Sequence, residues 1–250
     1  MTRFADLLRA RAGTPVVVGH RGGRGPGWPP ENTLAAFERA RAEGAQAVET
    51  DVRLCATGEA VLFHDPDLAR MTGGDRRLVA HVPAGELRGV KLTGGDDGIP
   101  TLAELVAWAN EHAMGLNVEV KHDVPDRIAL ARAVARDVAR ARVPLVISSF
   151  DPLTLAAVAL FTPRTLRALL TDVAQRYAPL LHALTRPNVS WALHVHRKQA
   201  AAPAIARWKQ RGLAVGVWTV NDALEARELA RAGADLLITD APALIVSALA

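Results

Sequence analysis

The stretch AVETDVRLCATGEAVLFHD, residues 47–65, decides how the chain is organised. Two runs rich in β-branched and other apolar residues flank the turn-like sequence Ala-Thr-Gly-Glu at 56–59. A parallel crossover between two strands needs about a dozen residues or more, and the gap between these runs is shorter. The stretch therefore predicts an antiparallel β-hairpin. If its turn is centred on the Thr-Gly pair, Asp51 lies opposite His64.

Outside this stretch, strand-like runs alternate with helix-like runs rich in Ala, Leu and Arg. Such alternation is typical of a parallel sheet, and eight units close a TIM barrel. The second run of the hairpin is one strand too many for a barrel. The sequence therefore predicts an α/β fold, a distorted TIM (β/α)8 barrel with an extra β-hairpin over the C-terminal face of the strands. The predicted strands are Val16–His20, Ala47–Val52, Val61–His64, Leu116–Lys121, Pro144–Ser149, Thr165–Leu170, Trp191–Val195, Ala214–Thr219 and Leu236–Thr239.

Residues 66–100 contain Gly-rich patches and show no strong hydrophobic period. We interpret this segment as a short cap-like insertion over the same face of the barrel, without a core of its own. A chain of 250 residues is common for one barrel, so residues 1–250 are predicted to form a single domain. The predicted helices are Thr33–Glu43, Leu102–His112, Ile128–Ala141, Pro152–Leu160, Val173–Leu184, Ala200–Arg211 and Ala223–Ala232.

The composition is that of an ordinary globular protein, with 50% hydrophobic and 22% charged residues. Cys55 is the only cysteine, so no internal disulfide can form, which fits a reducing compartment. We expect neither a secretory signal nor membrane insertion, because no run resembles a signal core or approaches ~20 apolar residues. The net charge of +4 is mild and the arginines are scattered, so we expect no nucleic-acid partner.

Acidic residues near the ends of two neighbouring barrel strands predict a metal site. Glu49 and Asp51 are two residues apart on one strand, so their side chains point to the same face, and Glu119 repeats the pattern on the next. TIM-barrel active sites lie at this end. Converging carboxylates repel each other, and one divalent cation, Mg²⁺ or Ca²⁺, offsets the repulsion. The alternative is that Arg21 and Lys121 form structural ion pairs with these acids.

Two histidines and two cations follow strands close to these acids. His20 and His64 are candidate proton carriers, because imidazole titrates near neutral pH. Arg21 and Lys121 can contact phosphate oxygens. With three carboxylates and one divalent cation, these two cations leave about one positive charge, which suits a monoanionic phosphodiester. His194, on another strand, is interpreted as a pocket-lining residue.

Short motifs along almost the whole chain resemble those of the glycerophosphodiester phosphodiesterase family, of the bacterial cytoplasmic type. Each motif is weak alone, but together, in the family's order, they are specific. The matching segments are His20-Arg21-Gly22, residues 30–37 (PENTLAAF), residues 49–52 (ETDV), Phe63-His64-Asp65, residues 99–102 (IPTL), residues 117–121 (NVEVK), Ser148-Ser149-Phe150, residues 218–221 (WTVN) and Ile238-Thr239-Asp240.

The resemblance implies a cytoplasmic enzyme that converts a small-molecule glycerophosphodiester to an alcohol and sn-glycerol 3-phosphate, using one divalent cation. It leaves open which histidine is the acid, and whether water or the substrate's 2-hydroxyl attacks. The implied site residues are His20 and His64 as the acid–base pair, Glu49, Asp51 and Glu119 as metal ligands, Arg21 and Lys121 as phosphate contacts, and Trp218 as the pocket wall against the alcohol.

The sequence leaves three competing functions open. A barrel phosphodiesterase of the lysophospholipase D type would need an apolar groove at the mouth. A glycosidase could use Glu49 or Asp51 with Glu119, but it would leave both histidines without a role. A non-catalytic barrel that binds phosphorylated ligands would not need every chemical position to be filled. The headgroup preference, the choice of cation and the oligomeric state are open.

Overall fold

The structure, a computed structural model, describes residues 13–185 and 191–250. Eight parallel strands close into a barrel, because the first strand, β1 (Val16–Gly19), pairs with both β2 (Ala47–Leu54) and β9 (Leu236–Thr239). A further strand, β3, lies outside the barrel and runs antiparallel to β2. The predicted TIM barrel with an extra hairpin strand is therefore confirmed. The strands are β1 (Val16–Gly19), β2 (Ala47–Leu54), β3 (Ala60–Leu62), β4 (Gly115–Val120), β5 (Leu145–Ser149), β6 (Leu166–Thr171), β7 (Trp191–His196), β8 (Ala214–Trp218) and β9 (Leu236–Thr239).

Helices surround the barrel and follow most of the predicted segments. The prediction missed the last one, α10, because its almost wholly apolar sequence has no polar face. None of the helices in the described part of the chain is long and apolar enough to cross a lipid bilayer. The α-helices are α1 (Leu34–Ala42), α2 (Ala69–Thr72), α3 (Ala84–Leu87), α4 (Leu102–His112), α5 (Arg127–Val138), α6 (Pro152–Phe161), α7 (Ala178–Leu184), α8 (Ala202–Gln210), α9 (Ala223–Arg231) and α10 (Pro242–Leu249), with 3-10 turns at Val79–His81 and Arg197–Gln199.

Several helices have a polar N-cap residue at the end of the barrel where the site lies. Each accepts a hydrogen bond from a backbone N–H of the first turn, which is worth about 1 kcal/mol per cap. Thr101 forms a complete capping box with Glu104. These caps fix where each chain segment leaves the rim of the barrel. The capping residues are Thr33, Thr101, Asp126, Asp151 and Asp222.

The hairpin between β2 and β3 has a different register from the predicted one. Leu54 pairs with Ala60, and the backbone carbonyl of Asp51 accepts a hydrogen bond from the backbone N–H of Phe63. Asp51 therefore lies opposite Phe63, and the predicted pairing with His64 is wrong by one residue. The cause is the turn: Gly58 takes a φ of 83°, which produces a three-residue loop instead of a two-residue loop.

The insertion at residues 66–100 has a small apolar cluster of its own, although none was predicted. Phe63 and Val61 of the hairpin pack there against Leu68, Leu87 and Ile99, and all five are almost fully buried. The short helices α2 and α3 belong to this segment. The insertion is therefore anchored to the hairpin by apolar contacts, and it has a fixed position beside the rim of the barrel.

The interior of the barrel changes in character along its axis. Apolar side chains occupy one layer, whereas Asn117 and Ser148 are buried farther along their strands and are joined by a hydrogen bond of 2.9 Å. Beyond them lie the charged side chains described below. The outer faces of the strands pack against the helices, as at Phe37, whose truncation to Ala would cost about 3–5 kcal/mol. The apolar inner layer consists of Val16, Val18, Ala47, Val146, Ala168, Ala192, Leu236 and Ile238.

Candidate active site

Three carboxylates converge inside the mouth of the barrel, as predicted. Glu49 and Asp51 project inward from β2, and Glu119 comes from β4, where it pairs with Asp51 in the strand register. One oxygen from each of the three lies within 4.8 Å of the others. All three side chains are buried, and Asp51 is completely inaccessible to solvent. Parallel pairing of β2 with β4 thus produces a compact cluster of acids.

Two cations are in contact with this cluster. The Lys121 ammonium lies 2.7 Å from Asp51 Oδ1 and 2.5 Å from Glu119 Oε1, and Arg21 Nε lies 3.0 Å from Asp51 Oδ2. Burial by itself would raise the pKa of Asp51, but Lys121 and Arg21 hold it well below its usual range. The same contacts raise the pKa of Lys121 in spite of its burial. The ion pairs that we considered as an alternative to a metal site do form.

Glu49 is the acid that these ion pairs leave uncompensated. Burial raises its pKa well above the ordinary value, and repulsion from Asp51 and Glu119 raises it further. The backbone N–H of Arg21 donates to its Oε2 at 2.9 Å. A divalent cation among the three carboxylates would remove this repulsion, and carboxylate oxygens are the donors that Mg²⁺ and Ca²⁺ prefer. The residues present therefore fit such an ion.

The loop after β1 places Arg21 against these acids. Arg21 has a φ of 53°, in the left-handed region that few residues other than glycine adopt. Its carbonyl accepts a hydrogen bond from the backbone N–H of Asn32 at 3.0 Å. Gly22 follows, and a Cβ atom at that position would lie 2.7 Å from the carbonyl carbon of Ala36. Close packing of the loop on α1 thus requires glycine there and fixes the preceding arginine.

Asn32 is a buried residue of the site whose role was not predicted. Its Nδ2 donates to Asp51 Oδ2 at 3.0 Å, while its Oδ1 accepts from Thr50 Oγ1 at 2.8 Å and from the backbone N–H of Asp51 at 3.2 Å. These three bonds fix the rotamer of Asp51. The sequence signal was its place in the PENTLAAF segment, which contributed only to the family resemblance.

His20 lies at the end of β1 with one ring nitrogen bonded to a carboxylate. Its Nδ1 is 2.7 Å from Asp240 Oδ1, and its Nε2 is 4.0 Å from Glu49 Oε2. Burial lowers the pKa of His20, although the hydrogen bond to Asp240 acts in the opposite direction. We assign the Nδ1 proton to the bond with Asp240, which leaves Nε2 as the free acceptor.

His64 follows β3 and has the same kind of partner. Its Nδ1 is 2.7 Å from Oδ1 of Asp65, the next residue in the chain. The side chain of His64 is 35% exposed, compared with 13% for His20. The register error described above does not remove His64 from the site, because both histidines border the same cavity.

The cavity at the mouth of the barrel has a volume of about 310 Å³. One wall is polar and contains the two histidines, two of the acids, and three cations, namely Arg21, Lys121 and Arg24. The other wall is apolar and contains Phe150, Leu170, Trp218 and Ile238. Asp51 is fully buried and does not line the cavity. Seven of the eight predicted site residues border this space, namely His20, Arg21, Glu49, His64, Glu119, Lys121 and Trp218.

Comparison with known proteins identifies the family of this chain. The profile of the glycerophosphoryl diester phosphodiesterase family matches residues 20–244, which is most of the chain. The chain belongs to this family. It is 27% identical over 241 residues to a glycerophosphodiester phosphodiesterase of Caldanaerobacter subterraneus subsp. tengcongensis, covering 93% of this chain and 96% of that protein.

Solved structures support the assignment to the glycerophosphoryl diester phosphodiesterase family. An Oleispira antarctica phosphodiesterase, in complex with its product sn-glycerol-3-phosphate, superimposes with a TM-score of 0.82 at 29% identity and covers 96% of this chain and 98% of its own. A glycerophosphodiester phosphodiesterase from Thermotoga maritima gives a TM-score of 0.76 at 29% identity, covering 93% and 97%. Both resemblances cover more than nine-tenths of this chain.

Trp218 lies in the apolar wall, where the family resemblance places it. Its ring packs edge-on against Phe150 at a centroid distance of 5.6 Å and against His196 at 5.1 Å. The indole Nε1 donates to the carbonyl of His194 at 3.3 Å. The indole is therefore held on three sides, and it presents a rigid apolar surface to whatever occupies the cavity.

His194 lies inside the barrel and does not line the cavity, so our interpretation of its position was wrong. Its side chain is fully buried, and within the described residues neither ring nitrogen has a hydrogen-bond partner. Burial lowers the pKa of His194 to about 4, so the ring is neutral near pH 7. Gly216 opposite it leaves the space, because a Cβ atom there would lie 2.6 Å from His194 Cδ2.

Ion pairs at the rim connect residues that sequence spacing could not bring together. Arg24 Nε donates to Asp240 Oδ1 at 2.8 Å, next to the bond between Asp240 and His20. Glu31 accepts from Arg21 at 2.9 Å and from Arg70 at 2.6 Å. Of these residues, only His20 and Arg21 had a predicted role. Apart from the PENTLAAF and ITD motifs that contain Glu31 and Asp240, no local pattern marks them.

Proposed function

We propose that the protein hydrolyses glycerophosphodiesters to an alcohol and sn-glycerol 3-phosphate with the help of one divalent cation, Mg²⁺ or Ca²⁺. The observation that carries this proposal is the meeting of three buried carboxylates and two carboxylate-bonded histidines at one cavity, in a chain of this family. The product bound to the Oleispira antarctica neighbour supports the choice of substrate.

Glu49, Asp51 and Glu119 would hold the cation. When bound, it would supply polarisation of a phosphoryl oxygen and offset the negative charge of the three ligands. Arg21 and Lys121 lie beside the same cavity and would orient the phosphate group through charge-assisted hydrogen bonds. Arg21 also contacts Glu31, and this contact restricts its guanidinium to one orientation.

We assign the base to His20 and the acid to His64. His20 is buried and its pKa is lowered by that burial, so it is neutral near pH 7 and its Nε2 can accept a proton from the attacking oxygen. His64 lies at the more exposed side of the cavity, where a leaving alcohol can take a proton and diffuse away. The attacking oxygen belongs to water or to the substrate's own 2-hydroxyl, which would form a cyclic phosphate.

The first experiment is to assay release of sn-glycerol 3-phosphate from glycerophosphocholine, glycerophosphoethanolamine and glycerophosphoglycerol. We expect activity that His64→Ala reduces by about 10²–10⁴-fold. His81→Ala is the matched control, because His81 is an exposed histidine of the insertion that does not border the cavity. Absence of activity on every glycerophosphodiester would contradict the proposal. Hydrolysis in ¹⁸O-labelled water, with a search for cyclic glycerophosphate, identifies the attacking oxygen.

A lysophospholipase D activity is the second candidate, and one observation favours it. Large apolar side chains are exposed in the segments that follow β5, β6 and β8, at the same rim as the cavity. Such side chains could support an acyl chain that extends from a bound headgroup. The test is hydrolysis of lysophosphatidylcholine by the intact protein and by Leu180→Asp. The substitution should reduce this activity, and the rate of glycerophosphocholine hydrolysis by both proteins is the control. The exposed side chains are Leu153, Val173, Tyr177, Leu180 and Leu224.

The cytoplasmic location stays a prediction, and the resemblance also leads us to propose a place in glycerol and lipid metabolism. They rest on the resemblance and on the single cysteine, and subcellular fractionation of the native host checks the first. The expected absence of a nucleic-acid partner also stays a prediction, which gel-shift assays with duplex and single-stranded probes check. Light scattering of the purified protein determines the oligomeric state.

A further inference from the structure

We propose that Arg70, in helix α2 of the insertion, is a positioning residue that fixes two substrate-facing groups at once, His64 and Arg21. The inference rests on the proposed function only in assuming that these two groups face the substrate. Arg70 does not border the cavity itself. It acts through two carboxylates, Asp65 and Glu31, which it holds from the outer side.

The first contact runs to His64. Arg70 Nε donates to Oδ2 of Asp65 at 2.5 Å, and Oδ1 of the same carboxylate lies 2.7 Å from His64 Nδ1. The two oxygens of Asp65 are thus divided between the guanidinium and the imidazole. The bond from Arg70 restricts rotation of the Asp65 carboxylate, and the other oxygen then favours one plane and one tautomer of the His64 ring.

The second contact runs to Arg21. Arg70 Nη2 donates to Glu31 Oε1 at 2.6 Å, and Arg21 Nη1 donates to the same oxygen at 2.9 Å. The Glu31 side chain is only 7% exposed. Burial alone would raise the pKa of Glu31, but the hydrogen bond from Arg70 and the charge of Arg21 lower it. Glu31 is therefore an ionised group that binds the guanidinium groups of Arg70 and Arg21 at one oxygen, and its other oxygen lies 3.8 Å from Arg24 Nη1.

A simpler interpretation is that Arg70 belongs to an ordinary surface ion pair. The side chain is 46% exposed, and exposed pairs contribute little to stability. That interpretation predicts that its removal is nearly silent. The geometry argues otherwise, because both partners of Arg70 bond directly to groups on the cavity wall, and small displacements of such groups reduce turnover strongly.

The other histidine provides an internal comparison. His20 is oriented by Asp240, which Arg24 contacts, and neither of these residues contacts Arg70 in the described part of the chain. Loss of Arg70 should therefore disturb His64 through Asp65, whereas it can reach His20 only by the longer path through Glu31, whose Oε2 lies 3.8 Å from Arg24 Nη1. The insertion is then part of the active site's support, in addition to covering the neighbouring hairpin.

The experiment compares Arg70→Met with Arg77→Met in the cation-loaded protein. Arg77 is a matched control, since it is a half-exposed arginine of the same insertion that pairs with Asp75 and Glu86. For glycerophosphocholine hydrolysis we expect Arg70→Met to lower kcat about tenfold or more and to raise KM several-fold, with Arg77→Met unchanged. Equal kcat and KM for wild type and Arg70→Met would overturn the proposal.

Repeating Arg70→Met in the Asp65→Asn variant distinguishes the contact of Arg70 with Asp65 from its contact with Glu31. There, Arg70→Met should add little to the loss in kcat, because the path to His64 is already broken, but it should still raise KM through Glu31. Arg70→Lys should recover at most one of the two losses. A lysine ammonium lacks the separate nitrogen donors with which the guanidinium contacts both carboxylates. Full additivity of Asp65→Asn and Arg70→Met in kcat would contradict action through Asp65.

A measurement that does not require catalysis makes this test independent of the proposed function. Nitrogen-15 NMR of the His64 ring, assigned with His64→Ala, should show one tautomer in wild type and Arg77→Met and a mixture in Arg70→Met. An unchanged tautomer in Arg70→Met would overturn the proposal even if the protein hydrolysed no glycerophosphodiester. Inactivity of the wild type with a tautomer change in Arg70→Met would refute the function and support the positioning role.

Discussion

Two histidines reach the same cavity from different kinds of structure. His20 ends a barrel strand, is nearly buried, and takes its carboxylate partner Asp240 from the neighbouring strand's end, 220 residues away in sequence. His64 follows a strand outside the barrel, is a third exposed, and takes its partner from the next residue. The closure of the barrel therefore fixes the first half of the site, and the hairpin with its insertion fixes the second.

The difference between the halves shows where such a site can vary. The strand register of β1 with β9 determines the position of His20, and that register cannot shift without opening the barrel. The position of His64 depends on a turn, a short apolar cluster and the contacts of Arg70. We expect the barrel half to tolerate little change and the hairpin half to respond in a graded way.

The largest effect should come from the carboxylate that both halves share. Asp51→Asn removes one charge from the cluster and weakens the contacts of Lys121 and Arg21. Loss of several kcal/mol of charge stabilisation corresponds to a fall in kcat/KM of roughly 10³-fold or more. Steady-state kinetics and calorimetric titration with Mg²⁺ or Ca²⁺ check this. Retention of wild-type cation affinity by the variant would contradict the metal assignment.

The roles of the two histidines should be distinguishable from how the activity of each variant depends on the leaving group of the substrate. His20→Ala and His64→Ala should each lose about 10²–10⁴-fold with glycerophosphocholine. With a p-nitrophenyl ester of glycerol phosphate, whose leaving group needs no proton, His64→Ala should regain most activity and His20→Ala should not. The reverse pattern would exchange the roles of acid and base.

A smaller effect is expected from the carboxylates that orient the rings. Asp240→Asn and Asp65→Asn should each lower kcat by about 10- to 100-fold, because each amide can favour the wrong tautomer. Asp240→Asn should have the greater effect, since Asp240 also contacts Arg24 and Asn221. Paired measurement of kcat for the two variants under identical conditions checks the order. A greater loss from Asp65→Asn would show that the hairpin half is the less tolerant one.

His194 should affect stability and leave turnover almost unchanged. Its folded pKa of about 4 lies below the ordinary 6.5, so the unfolded state binds the proton more tightly. Its contribution is therefore fully present above pH 6.5 and is lost as the pH falls towards 4, by roughly 3 kcal/mol in total. Urea unfolding of wild type and His194→Met across this range measures the difference. A pH-independent difference would show that His194 is not buried in its neutral form.

Local patterns in the sequence were sufficient for the barrel and for the cluster of acids. The period of two along β2 brings Glu49 and Asp51 to one face, and the parallel alignment with β4 adds Glu119. The hairpin was predicted from the short gap between its strands. Its register was not, because the left-handed conformation of Gly58 adds one residue to the loop.

The carboxylate partners of His20 and Arg70 that are distant in sequence could not be read from spacing. Asp240 meets His20 only because the barrel closes, and Glu31 meets Arg70 only because the insertion folds back towards α1. The apolar cluster of the insertion has no strong period, since its helices have only four residues each. Contacts between side chains distant in sequence follow from the fold, and a single sequence carries no local signal for them.

The most direct test of the central claim is the cation dependence of glycerophosphodiester hydrolysis. Chelator-treated protein is dialysed, its release of sn-glycerol 3-phosphate from glycerophosphocholine is measured, and Mg²⁺ or Ca²⁺ is then titrated back. We predict that activity disappears with the cation and returns at a stoichiometry of about one ion per chain, as expected for one site of three carboxylates. Full activity in the chelated protein would contradict the account.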